Sequence, residues 1–122
     1  MKRVLVVDDS ATVRQQVGLA LSQAGFDVVE AANGADGAEI IERDPSLSTV
    51  ICDVNMPTMN GIEMLKKVKA NGQHANLPIV MLTTEGSPKL VEQAKASGAK
   101  GWIVKPFKPE LLVAAVKKLS GC

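Results

Sequence analysis

Two cysteines are too few for a disulfide framework, and neither is placed to begin one. Cys52 lies in a run that reads as a buried strand, and Cys122 is the last residue. A reducing cytoplasm is the expected setting. No stretch reaches the roughly 18 consecutive apolar residues of a membrane helix, and the N-terminus enters a strand almost at once, so neither a spanning segment nor a leader is expected. Internal repeats, low-complexity tracts and linkers are also missing. What remains is an ordinary globular composition, 46% hydrophobic and 22% charged over 122 residues. That length predicts one domain over 1–122 with no output domain, burying roughly two thirds of its unfolded surface.

Net charge is only +1, but it is unevenly spread. Residues 1–85 hold seven basic and eleven acidic side chains, a balance of −4. Residues 86–122 hold seven lysines against Glu92 and Glu110, a balance of +5. Without interleaved arginines or aromatics this basic third is a weak nucleic-acid signal; it reads as a solvated face or as a surface for an acidic protein.

Four runs lack polar alternation: Val4–Val7, Thr49–Cys52, Ile79–Leu82 and Trp102–Val104. Aliphatic and β-branched runs of this kind suit strands covered on both faces, hence a parallel sheet between helices. The segment Phe26–Ala31 alternates more and suits a strand nearer the edge. Between the strands lie helical stripes. Ser10 caps one through Val13, Val17, Leu21 and Ala24, with Gly25 just past its end. A second follows an Asn33-Gly34 turn through Ala35, Ala38 and Ile41 and closes at Pro45. A third uses Ile62, Leu65 and Val68 and stops at Asn71-Gly72. Ser87-Pro88 opens a fourth, with the serine oxygen accepting orphan amides, and Gly98 ends it; Pro109-Glu110 opens a fifth with Leu112, Ala115, Val116 and Leu119 inward. Five βα units predict a doubly wound α/β fold of flavodoxin-like strand order 2-1-3-4-5.

In such sheets ligands bind outside the carboxyl ends of the strands. Asp8 and Asp9, Asp53, Thr83 and Lys105 all fall there. Three carboxylates crowded together repel unless a cation compensates them, and a hard divalent ion such as magnesium prefers oxygen ligands. Asp9 and Asp53 directly, Asp8 through water and the backbone carbonyl near Asn55 would suffice. Alone, Asp8-Asp9 could equally be a polar strand end capping the next helix. Asp53 is the candidate nucleophile, forming an acyl phosphate, with the Lys105 charge and the Thr83 hydroxyl set for the phosphoryl oxygens. Spacing leaves the Lys105-Pro106 bond cis or trans. His74 reads as an exposed loop residue, Cys52 as core, and Met56 and Met59 as packing around the Asp53 loop.

Val6–Ser10, Cys52–Pro57 with Asn60-Gly61, Met81–Glu85 and Gly98–Phe107 together resemble the receiver domains of bacterial response regulators, in particular the single-domain chemotaxis regulators of the CheY type. The resemblance spans essentially the whole chain. It implies that Asp53 accepts phosphate from a phosphohistidine on a sensor histidine kinase of the CheA type, and that Asp8, Asp9 and Asp53 hold magnesium. It further implies that Thr83, the Thr84 amide, Asn55 and Lys105 handle the phosphoryl group, and that Asn55 and Glu85 set its lifetime. The family's rotating aromatic, three positions before the lysine, is usually tyrosine or phenylalanine; here it is Trp102, a bulkier ring without a hydroxyl, which reads as a switch or as a packed aromatic.

A phosphorylation-operated monomeric switch is therefore the expected function. It would not be an enzyme with an external turnover, although it would catalyse its own phosphoryl transfer and dephosphorylation. Its output would pass through the face of the fourth helix, fifth strand and fifth helix to a protein such as a flagellar switch component, without nucleic acid or membrane. Competing readings are an adaptor that signals without phosphate, a phosphate sink or phosphorelay receiver outside chemotaxis, and a small magnesium phosphohydrolase lacking a cap segment.

Overall fold

The computed structural model describes residues 2–54, 56, 59–84 and 87–121. Five parallel strands, β1 (Arg3–Val7), β2 (Asp27–Ala31), β3 (Leu47–Cys52), β4 (Ile79–Thr83) and β5 (Gly101–Val104), form one sheet in the order β2-β1-β3-β4-β5. Helices α1 (Ala11–Gln23), α2 (Gly34–Arg43), α3 (Gly61–Lys69), α4 (Pro88–Ala96) and α5 (Pro109–Ser120) connect them or close the chain. The predicted order and the flavodoxin-like arrangement are both present.

Strand alternation divides the interior into two cores. Leu5 and Val7 of β1 face α2, α3 and α4, packing with Ile41, Leu65 and Ala94. Val4 and Val6 face α1 and α5, packing with Val17, Leu21, Leu112 and Val116. Since β1 is buried on both sides, its aliphatic run has no polar period, and each such side chain contributes about 1.5–3 kcal/mol through burial. Edge strands behave differently: β2 and β5 keep partly exposed residues.

Helix ends follow their capping residues, with three departures from expectation. Ser10 Oγ accepts the Val13 amide hydrogen at 3.3 Å, and Asn60 and Glu63 form a reciprocal capping box at 2.9 and 3.2 Å. Asn33, expected in a turn, is instead the extended N-cap of α2, where its Oδ1 accepts from Asp36 N. Ser87 precedes Pro88 as expected, but its side chain makes no capping bond. The third helix ends before Asn71-Gly72, and Gly72–His74 forms a short 3-10 turn.

That turn is held by Lys69, whose Nζ donates to the carbonyl oxygens of His74, Ala75 and Leu77 at 3.1, 3.1 and 2.5 Å. His74 is accordingly not the exposed loop residue expected. Its side chain is only 14% exposed, with Nε2 lying 3.5 Å from Glu42 Oε1. At the amino ends of the strands Lys2 Nζ donates to Ser120 O at 2.6 Å, and the Thr49 and Ser120 hydroxyls lie 2.6 Å apart, fastening α5 beneath β3. Among the described residues no helix is long and apolar enough to cross a membrane.

Candidate functional site

The site follows from register. Val7 pairs with Cys52, so the next residues, Asp8 and Asp53, emerge side by side from β1 and β3. The Asp53 amide donates to Val7 O at 2.9 Å and the Asp8 amide to Ala31 O at 3.1 Å, extending the sheet by one rung at this end. Thr83 pairs with Val104, which sets Lys105 beyond the β4 end. The Lys105 amide donates to Thr83 O at 2.8 Å, and the Lys105-Pro106 bond is cis.

Three carboxylates converge. Oxygens of Asp8, Asp9 and Asp53 all lie within 4.8 Å of one another; Asp8 and Asp53 are buried and Asp9 is exposed. Lys105 Nζ donates to Asp8 Oδ2 at 2.8 Å and to Asp53 Oδ2 at 3.4 Å. Burial, the largest single influence on this ammonium, lowers its pKa. The Asp8 hydrogen bond and the charges of Asp53 and Asp8 outweigh it, so the pKa ends above the ordinary lysine value. One lysine cannot neutralise three carboxylates, and an all-oxygen cluster with its Asp9 member exposed fits a hard divalent cation.

Asp8 also serves local structure: its Oδ1 accepts the Ser10 amide at 2.9 Å, and its carbonyl accepts Arg14 Nη1 at 2.6 Å. The strand-end capping reading is thus realised in part, beside the carboxylate cluster rather than instead of it. Thr83 is fully buried at the β4 end, and Thr84 beyond it is exposed. By strand alternation Trp102, opposite Met81, shares a sheet face with Thr83. Its indole packs partly buried against the α2–α3–α4 core, and its buried Nε1 has no hydrogen-bond partner among the described residues.

Residues 4–117 match the model of the response regulator receiver domain. The chain belongs to this family. The receiver is 38% identical to a CheY homologue, a chemotaxis protein of Campylobacter jejuni, over 98% of this chain and 92% of that protein. It is 41% identical to chemotaxis protein CheY1 of Helicobacter pylori, over 90% of each. Among solved structures, Vibrio cholerae chemotaxis protein CheY4 superposes with a TM-score of 0.91 at 43% identity, covering 98% of both chains.

The receiver's structure brings carboxylate oxygens of Asp8, Asp9 and Asp53 within 4.8 Å of one another, bonds Lys105 to Asp8 and Asp53, and sets Thr83 at the end of β4, Thr84 just beyond it and Trp102 within β5. Asn55 and Glu85 lie outside the described residues, as does Cys122. Cys52 is core: burial first, then the charges of Asp53 and Asp8, push its thiol far above the range in which a thiolate forms. Met56 is buried in the core that faces α2, α3 and α4, and Met59 packs partly buried against that core, as expected.

Two positions carry more than their sequence signal. A Cβ on Gly61 would stand 2.0 Å from the Asp53 carbonyl oxygen and 2.8 Å from Met81 Cε, so only glycine lets α3 start this close to the site. Asn60-Gly61 signals a turn, but not a close approach. Arg14 hydrogen-bonds the Asp8 carbonyl from the first turns of α1, and its place one residue after the stripe position Val13 gives no hint of that reach.

Proposed function

We propose that this receiver is a phosphorylation-operated switch in which Asp53 accepts a phosphoryl group from a phosphohistidine on a CheA-like sensor histidine kinase. The observation that carries the proposal is the set of three carboxylates within 4.8 Å, with Lys105 bonded to both Asp8 and Asp53. An Asp53 oxygen attacks phosphorus, the phosphorus–nitrogen bond breaks, and an acyl phosphate remains. Asp8, Asp9 and Asp53, with the Asn55 carbonyl, are the oxygens that would hold magnesium. When bound there, the ion offsets charge on the phosphoryl oxygens. Lys105 exchanges part of its Asp53 contact for the phosphoryl group, which the Thr83 hydroxyl and the Thr84 amide also bind. Asn55 and Glu85 tune how long the acyl phosphate resists water, so dephosphorylation is also the receiver's own reaction.

Movement of Thr83 toward the phosphoryl group vacates space on the face it shares with Trp102. The indole then repacks, and α4, β5 and α5 present a changed surface to a downstream protein. The shift is limited by how much better the phosphoryl contacts suit the second arrangement. Similarity to the CheY proteins supports a chemotaxis role in the cytoplasm with a flagellar switch component as partner, the domain acting as a monomer.

Magnesium with acetyl phosphate should add one phosphoryl mass and change Trp102 fluorescence. Asp53→Asn should do neither, and an adduct that persists in this variant removes Asp53 as acceptor. Capture of a partner equally with and without the adduct would support the adaptor reading instead.

A further inference from the structure

Beside the carboxylates an apolar groove of about 950 Å³ runs between α1 and the start of α5. Val13 and Ala20 of α1 and Phe107 and Val113 from the α5 side supply apolar lining, Gln16, Gln23 and Glu110 supply polar lining, and Thr84 and Lys105 also border it. Lys105 Nζ is itself 3.4 Å from Asp53 Oδ2, so the groove begins one side chain from the acceptor. Its volume lies in the range of sites that enclose small ligands, which is roughly 300–1,000 Å³. A bordering lysine and threonine beside a mostly apolar lining match a molecule that is anionic at one end and uncharged and apolar at the other.

We infer that this groove seats the leaving group of a small phosphodonor, and that the receiver takes phosphate preferentially from acyl phosphates whose acyl group is flat and apolar. The inference rests on Asp53 as acceptor and adds the class of donor. An Asp53 oxygen attacks phosphorus, the bond from phosphorus to the acyl oxygen breaks, and the carboxylate leaves with the bonding pair. No proton, electron or further reactant is consumed. A methyl group leaves the groove walls in water, whereas a phenyl ring covers them. Half-burying one ring is worth about tenfold in rate at equal intrinsic reactivity.

Phosphorylation with benzoyl phosphate and acetyl phosphate, followed by intact mass and normalised to each donor's reaction with free acetate, tests this. The normalised rate should be about tenfold higher for benzoyl phosphate. Ala20→Leu, which narrows the groove away from the carboxylates, should remove that advantage and leave the acetyl phosphate rate unchanged. Independently of transfer, phenacylphosphonate should shift the amide resonances of Val13, Phe107 and Val113 in Asp53→Asn, and acetonylphosphonate should not. Equal normalised rates, or shifts confined to other surfaces, overturn the inference. Groove resonances that move with protein concentration alone assign the groove to a second copy and overturn it too. Failure with both donors overturns the acceptor assignment, and the donor class falls with it.

Discussion

At the residue scale, charge pairing decides the pH response. Arg3 Nη1 lies 2.9 Å from Asp44 Oδ2, and Ser46 donates to Asp44 from both its amide and its hydroxyl. The Ser46 side-chain bond, then the Arg3 bond, hold the Asp44 carboxyl below its usual range. A carboxyl depressed on folding adds stability above its unfolded pKa of about 3.9 and loses it as pH falls through the lower folded value. Asp44→Asn should therefore lower the urea midpoint at pH 7 and leave it unchanged once the pH is well below that range. Lys105 acts in the opposite sense. Its raised pKa means that its contribution persists through neutral pH and is lost only in strong alkali, as the ammonium deprotonates. Lys105→Met should leave Asp8 and Asp53 without their shared partner and slow adduct formation at Asp53, read by intact mass, while the fold is kept.

At the element scale, the start of α3 is the most exacting junction. Gly61→Ala places a methyl carbon against the Asp53 carbonyl, and overpacking of this kind costs about 1–3 kcal/mol. It should also displace the acceptor, so urea unfolding and adduct formation should both suffer. Asn60→Ala removes only the capping box, should cost about 1 kcal/mol, and should leave adduct formation nearly intact. These junctions also show what can be read from sequence. The strands β1, β3 and β4 are legible because burial on both faces leaves an unbroken aliphatic run ending at a polar residue, and those ends are the site. Caps are less legible, since a serine before proline satisfies the composition rule whether or not its oxygen reaches an amide, as Ser87 does not. The cover over His74 and the tight seat of Gly61 are tertiary facts with no local pattern. Each depends on what a distant segment places opposite: Glu42 in one case, the Asp53 carbonyl in the other.

At the scale of the whole molecule, the clustered carboxylates should make stability depend on divalent cations. Binding to the folded state alone stabilises by RT ln(1 + [L]/Kd), about 2.7 kcal/mol at a hundredfold excess over Kd. Magnesium should raise the thermal midpoint of the wild type, and less so that of Asp53→Asn, as followed by circular dichroism. The same fold recurs in proteins of different length. The receiver is 37% identical to the phosphate regulon regulatory protein PhoB of Pseudomonas aeruginosa over 95% of this chain, but over only 50% of that protein.

The fastening of Lys2 to Ser120 bears on that recurrence. It brings both ends of the described chain to the pole where parallel strands begin, whereas the carboxylates occupy the pole where they finish, roughly 15 Å away along a five-residue strand. Cargo spliced to either end would leave from the side remote from the chemistry. It would neither crowd an incoming donor nor touch the phosphoryl group, and could learn its state only through the body of the sheet and its helices. Such a module is a plug with its wiring at one end and its contacts at the other, ready to be grafted without retuning its reaction.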